Sequence, residues 1–178
     1  AVTEAMDITA AATAKAQHLA IAINANTFQH GVEASAITIL DGATAGGVTD
    51  GTFTVTVDGE SSIIRATSSM DDLVSAINQS STAVASLNEN GGLRLVDTEG
   101  RRITTSNSTL LTTGLGNVSV DGALTLKSVD GTGFTIESGK TSNDTGADET
   151  FAFAATGLMK GTYGTVSDPN SYEMVSNY

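Results

Sequence analysis

Two histidines, a scatter of carboxylates and one arginine pair are the side chains of this chain with most chemistry to offer. His18 and His30 stand twelve residues apart with no acidic or cysteine partner at ligand spacing, so surface positions are expected rather than a metal site. Asp71-Asp72 is a carboxylate pair, but adjacent residues on a helix point in different directions. Negative charge in the first turn of a helix, where the dipole favours it, explains the pair better. Asp97, Glu99, Asp121, Asp130 and Asp148-Glu149 fall in turn sequences, where a weak cation site would need their side chains to converge. Neither EF-hand spacing nor a Gly-rich calcium repeat is present, which favours ordinary turn chemistry. Arg101-Arg102 follows a turn; its two side chains should face opposite sides of a strand, as solvated charges with at most one surface ion pair.

Nucleophiles are abundant but unaccompanied. Ser and Thr make up roughly a quarter of the chain, yet no Gly-x-Ser-x-Gly, Ser/His/Asp or Ser/Lys set is recognisable. No Gly-rich phosphate loop follows a strand and opens a helix. The expectation is a non-enzyme with no cofactor and no metal. Solvent-facing hydroxyls have one further chemistry, acceptance of O-linked glycans. The candidate acceptors are Thr104, Thr105, Ser106, Ser108 and Thr109 in one stretch, and Thr141, Ser142 and Thr145 in another.

The elements that position these residues follow from composition and periodicity. The 178 residues carry a net charge of −12, which lacks the basic footprint of a nucleic-acid binder and disfavours anionic membrane surfaces. Cysteine is absent, which removes disulfides and thiolate chemistry. No apolar run is long enough to span a membrane. A start at Ala1 without Met reads as an excised fragment. Apolar residues are 39% and aromatics 4%, so the core should be thin and built from Ala, Val, Leu and Ile. Many β-branched residues with Asp-Gly and Asn-Gly pairs predict a sheet-rich, turn-rich protein.

An Ala-rich helix is expected from an N-cap at Thr9 to about Asn26, with Ala12, Ala16, Leu19 and Ile23 on one stripe. Residues 32–40 read as extended, and 41–47 as a Gly-rich linker. Thr52–Val57 alternates, Asp58-Gly59 is a hairpin turn signal, and Ser62–Thr67 returns. Ser69 should cap a short helix whose apolar face is Met70, Leu73, Val74 and Ile77. Strands follow at 83–87, 93–96 and about 102–105. Three more, at 118–120, 123–127 and 133–137, read as joined by turns at Asp121-Gly122 and Asp130-Gly131. A further strand is expected at 151–156.

The chain also repeats itself. Leu19-x3-Ile23-Asn24 matches Leu73-x3-Ile77-Asn78, each followed by Ala-Ser in an extended run at Ala34-Ser35 and Ala85-Ser86. A Gly-x-Leu-x-Leu-x4-Gly pattern recurs around Leu93/Leu95/Gly100 and Leu124/Leu126/Gly131. In linear order the first copy lacks its closing strands and the last fragment lacks its helix. Nesting one copy inside the other removes both orphans. The expected domains are residues 1–45 plus 117–178 as a discontinuous outer domain, with 46–116 as an inserted tip domain. The fold class is α+β: small antiparallel sheets, each packed by one short helix in a ββαββ-like unit. Three serial units, one of them degenerate, are the alternative.

These residues carry a family resemblance. Asp71-Asp72-Leu73-Val74-Ser75-Ala76-Ile77-Asn78, then Val84-Ala85-Ser86, Gly92-Leu93-Arg94-Leu95 and Gly100-Arg101-Arg102-Ile103, resemble the "IN" motif of bacterial flagellins and related axial proteins. Ala20–Asn24 and Gly31–Ser35 are similar to the same motif, and the resemblance covers about 110 residues. It implies the variable outer region of a flagellin, extracellular on the filament surface, contributing to motility and antigenicity. It also implies that other flagellin subunits are the partners, through long core helices that this chain lacks, so that the chain itself would be monomeric and would not polymerise. O-glycosylation occurs in some members of that family. A filament-cap or hook-associated protein would keep the motif and change the job. A carbohydrate-binding, adhesin-like module is the alternative from another class, and it finds little support in a chain with no Trp.

Overall fold

The computed structural model describes residues 16–43, 51–106, 114–136 and 161–163. The elements are α1 (Ala16–Asn24), α2 (Thr27–His30), β1 (Val32–Asp41), β2 (Phe53–Val57), β3 (Glu60–Ile64) and α3 (Met70–Ser80). They continue as β4 (Val84–Leu87), β5 (Leu93–Asp97), β6 (Ile103–Ser106), β7 (Ser119–Val120), β8 (Ala123–Ser128), β9 (Phe134–Ile136) and β10 (Gly161–Tyr163). The fold is α+β, with two four-stranded sheets, β4-β5-β1-β8 and β3-β2-β6-β7, and a β9–β10 pair. All the strand pairs with a described register are antiparallel.

Two compact units share the chain. One is drawn from residues up to Ala36 and from Ala123 onward, and the other is the continuous segment Ile37–Gly122. The continuous unit thus extends outward of 46–116 at both ends. β1, whose first half precedes that segment and whose second half opens it, is hydrogen-bonded to β8, which follows it.

Local rules account for the continuous unit. Phe53, Val55 and Val57 are buried while Thr54 and Thr56 are not, the period of a strand with one covered face. Asp58 and Gly59 both adopt positive φ, 50° and 90°, the turn that closes a two-residue hairpin onto β3. Ser69 caps α3 by accepting from the Asp72 N–H at 3.1 Å, and Asp71 and Asp72 occupy the first turn. Leu73 and Ile77 are fully buried, with Met70 and Val74 partly covered beside them. Each such burial is worth roughly 1.5–3 kcal/mol before ordering costs. Their core also holds Phe53, Val55, Val57, Ile64, Leu93, Leu95 and Ile103, drawn from both hairpins and β6.

In the other unit Leu19 and Ile23 of α1 lie in one core with Val32, Ala34, Ala36, Leu124 and Leu126. Phe134 of β9 stacks on Tyr163 of β10, ring centroids 5.6 Å apart.

Several sequence expectations are corrected. The first helix does not continue to Asn26: it ends at Asn24 and is followed by the one-turn α2. Thr9, Ala12, residues 44–47 of the linker and the strand at 151–156 lie outside the described residues. The strand at 161–163 was not foreseen. The two hairpins flanking α3 are in different sheets. β7 and β8 are not a hairpin either: at Asp121-Gly122 the chain leaves β6's sheet for β1's. A Cβ on Gly122 would lie 2.3 Å from the Gly100 carbonyl oxygen, so close backbone approach, and not a turn, demands glycine there. β8 and β9 are likewise unpaired, since β9 pairs with β10.

Candidate functional site

The repeated motif places an asparagine in the last turn of each helix, and both do the same thing. The Asn24 side-chain amide donates to the Ala34 carbonyl at 2.8 Å, and its oxygen accepts from the Ala34 N–H at 2.7 Å. The Asn78 amide donates to the Ala85 carbonyl at 2.9 Å and accepts from the Ala85 N–H at 2.7 Å. Each amide thus clasps both backbone groups of the one alanine that begins the motif's Ala-Ser pair. Isoleucine anchors the same helical turn in the core, Ile23 at 6% exposure and Ile77 at 0%. The helix C-terminus is thereby fixed to a strand at one register.

Beside the Asn24 clamp lies an open depression of about 520 Å³, lined by Asn24, Thr27, Glu33, Ala34, Ser35, Thr125 and Lys127. Its one cation and one carboxylate sit among backbone-committed polar groups; Asn24 holds Ala34, and the Thr27 hydroxyl donates to the Val32 carbonyl. Nothing in it pairs a base with a nucleophile.

His18 is exposed on α1. His30 is used by the backbone: its Nδ1 accepts from the Val32 N–H at 3.1 Å, which leaves Nε2–H to donate to the Ile23 carbonyl at 3.1 Å. It closes the link between α2 and β1 and has no free ring nitrogen for a metal. Among the described residues no group of three or more His, Cys, Asp or Glu side chains could hold a metal ion. Asp72 sits exposed at the start of α3, where hydrogen bonds from the Ser68 and Ser69 side chains lower its pKa.

Asp97 and Asp130 accept N–H groups of their own turns, and the larger correction concerns the arginine pair. Asp97 is 1% exposed. Its Oδ1 accepts from the Glu99 and Arg101 N–H groups at 3.1 and 2.9 Å, and its Oδ2 takes the Arg101 Nε–H and Nη2–H at 3.0 and 2.6 Å. These bonds raise the Arg101 pKa, chiefly through Asp97. Arg102 makes its own two-pronged contact with Asp121, at 2.5 and 2.8 Å. Both arginines are therefore ion-paired, where at most one pair was expected. Asp97 and Asp121 are committed to guanidinium groups, and Asp130 to its own turn. Asp148-Glu149 lies outside the described residues.

The hydroxyl candidates divide sharply. Thr105 is 1% exposed; its hydroxyl donates to the Gly116 carbonyl and accepts from the Val118 N–H, so a glycan has no access to it. Thr104 and Ser106 point to the other face of β6, half-buried, with the Thr104 hydroxyl 3.0 Å from that of Ser119. Ser108, Thr109, Thr141, Ser142 and Thr145 lie outside the described residues.

Three structural roles went unread in the sequence. The clamp had a signal, an asparagine recurring at the end of both helices before Ala-Ser, whose role was not drawn from it. Thr38 had one too, as the polar member of the inward row Val32, Ala34, Ala36, Thr38, Leu40; it is fully buried and donates to the Arg101 carbonyl at 2.7 Å. Asp97 had none beyond its turn. No helix among the described residues is long and apolar enough to cross a membrane. No protein-family model matches the chain, and no curated protein matches it.

Proposed function

We propose that the chain is a structural, non-catalytic, surface-exposed region of a bacterial flagellar filament protein, lying outside the filament core. The supporting observation is the paired clamp: the two motif copies that resemble the flagellin "IN" motif carry one hydrogen-bonding geometry, Asn24 on Ala34 and Asn78 on Ala85. An element repeated at the level of side-chain bonds is a building module, and the bonds that the two copies share join a helix to a strand of the chain itself. The chain is rich in Ser and Thr and carries a net charge of −12, and that charge suits an extracellular polymer whose outer regions must repel one another. Its partners would be other subunits, met through helices beyond this chain, and its work would be bulk, charge and variable epitopes on the filament.

Gold-labelled antibody raised against the chain tests this directly on whole cells by electron microscopy. Decoration along the length of flagellar filaments is expected. Label confined to the filament tip, or to the hook junction, would instead assign the chain to a cap or hook-associated protein. Label on the cell body with bare filaments would overturn the reading.

A further inference from the structure

The Asn78 clamp has a second consequence, at the edge of the sheet. β4 is the terminal strand of its sheet, with a neighbour on one side only. The bond from the Asn88 N–H to the Gly92 carbonyl identifies which of its groups face the open side. Hydrogen-bonded and non-hydrogen-bonded pairs alternate along an antiparallel ladder. With Asn88 and Gly92 bonded, Ser86–Arg94 and Val84–Val96 are the bonded pairs of the register. Ala85 and Leu87 therefore turn their N–H and C=O away from β5. Ala85 lies mid-strand, and both of its outward groups are taken by Asn78. An antiparallel neighbouring strand would exchange the same two bonds with it.

Strand edges are commonly protected by charge, proline or a bulge. β4 reads Val-Ala-Ser-Leu, with neither charge nor proline, and exposes Val84 at 57% and Leu87 at 39%. Register places Val84, Val96 and Ile39 in one row across β4, β5 and β1, so the face behind this edge is apolar as well. Such an edge is self-complementary about a two-fold axis, since β4 against a second β4 is an antiparallel pair that continues the apolar row. We infer that the Asn78 side chain is a strand surrogate that seals β4 against pairing with the β4 of a second copy of this chain. Asn24 gives Ala34 of β1 the same two bonds. β1 is an interior strand, so only Asn78 both fixes its helix and closes a sheet edge with one amide.

The test is the full chain carrying Asn78→Ala, followed by sedimentation velocity over a concentration series and by amide hydrogen exchange. Because a net charge of −12 opposes association, the series is run at low and high salt. The variant should shift toward dimer with concentration, more so at high salt, while the parent stays monomeric. At dilution its Ala85 amide should exchange about tenfold faster, the loss of one hydrogen bond, with the Leu95 amide unchanged. Adding Val84→Lys should return the variant to monomer by placing a charge on the edge. Asn78→Gln, with its amide one methylene too far out, should repeat the dimerisation if alanine unfolds the unit. A folded variant that stays monomeric overturns the role. So does loss of cooperative folding in both variants, which would make the clamp a requirement of folding and not an edge seal.

Discussion

The turn after β5 and the turn after β8 occupy the same place in the two repeats, and they are held by opposite means. Both need a left-handed glycine, Gly100 at φ 72° and Gly131 at φ 73°. Asp97 organises the first from inside, 1% exposed, with two backbone N–H groups on one oxygen and Arg101 on the other. Asp130 organises the second from solvent, accepting at one oxygen from the Thr132 hydroxyl and N–H and from the Ser128 hydroxyl. The first turn has backbone packed against it: the Thr38 hydroxyl on the Arg101 carbonyl, and Gly122 against Gly100. A buried turn cannot lean on water, so it carries its own counter-ion. The repeat conserves backbone conformation and the asparagine clamp, while the turn chemistry follows burial.

Four experiments press on that contrast, the largest effect first. Ile77→Asp places an unpaired carboxylate where exposure is 0%, and should abolish the cooperative melt of the continuous unit. A variant that keeps the parent melting curve would remove the packing of α3 on its strands. Asp97→Ala strips Arg101 and two N–H groups of their acceptor and should cost about 3 kcal/mol in urea denaturation. Asp130→Ala, which removes only solvent-exposed bonds, should move the same curve far less; equal losses at the two positions would erase the difference between buried and solvated turns. Gly100→Ala and Gly131→Ala should each cost at least about 1 kcal/mol, because an L side chain is strained at that φ wherever it lies. A cost at only one of them would show that the turns do not share a backbone state.

The smallest effect is a titration. Hydrogen bonds from the Thr132 side chain, the Thr132 N–H and the Ser128 side chain lower the Asp130 pKa to about 2. A carboxylate lowered by folding supports the folded turn above its unfolded pKa of about 3.9 and loses that support as pH falls through the folded value. The Thr132 amide resonance should therefore hold its position as pH falls to about 4 and move only as pH nears 2. Movement centred at an ordinary carboxylate pKa would mean that the turn bonds do not form in solution.

Much of the continuous unit was legible because its rules are local. Alternation marked Phe53–Val57, the Asp58-Gly59 pair marked its hairpin, and Ser69 with Asp71 and Asp72 marked the start of α3. The duplicated Leu-x3-Ile-Asn also stood in plain view. Each of these signals spans a few residues and depends on φ/ψ preference, capping or side-chain period. The clamp was half legible: the asparagines were visible in the repeat, but not the alanine that each would hold.

What the sequence determined by itself was the kind and order of elements and the fact of repetition. Only the tertiary structure decided which strand lies beside which, and with it the fate of the polar groups. Thr38 meets Arg101 across 63 residues, a partner no local pattern names. Thr105 and Thr104 differ by one residue, yet one faces the core and the other solvent, because a strand alternates sides and only its sheet says which side is covered. Asp97 reads as an ordinary turn carboxylate and is a buried one, since burial comes from the chain that packs over a turn. Sheet neighbours are chosen by the total fit of distant surfaces, and that sum exists only in the folded chain.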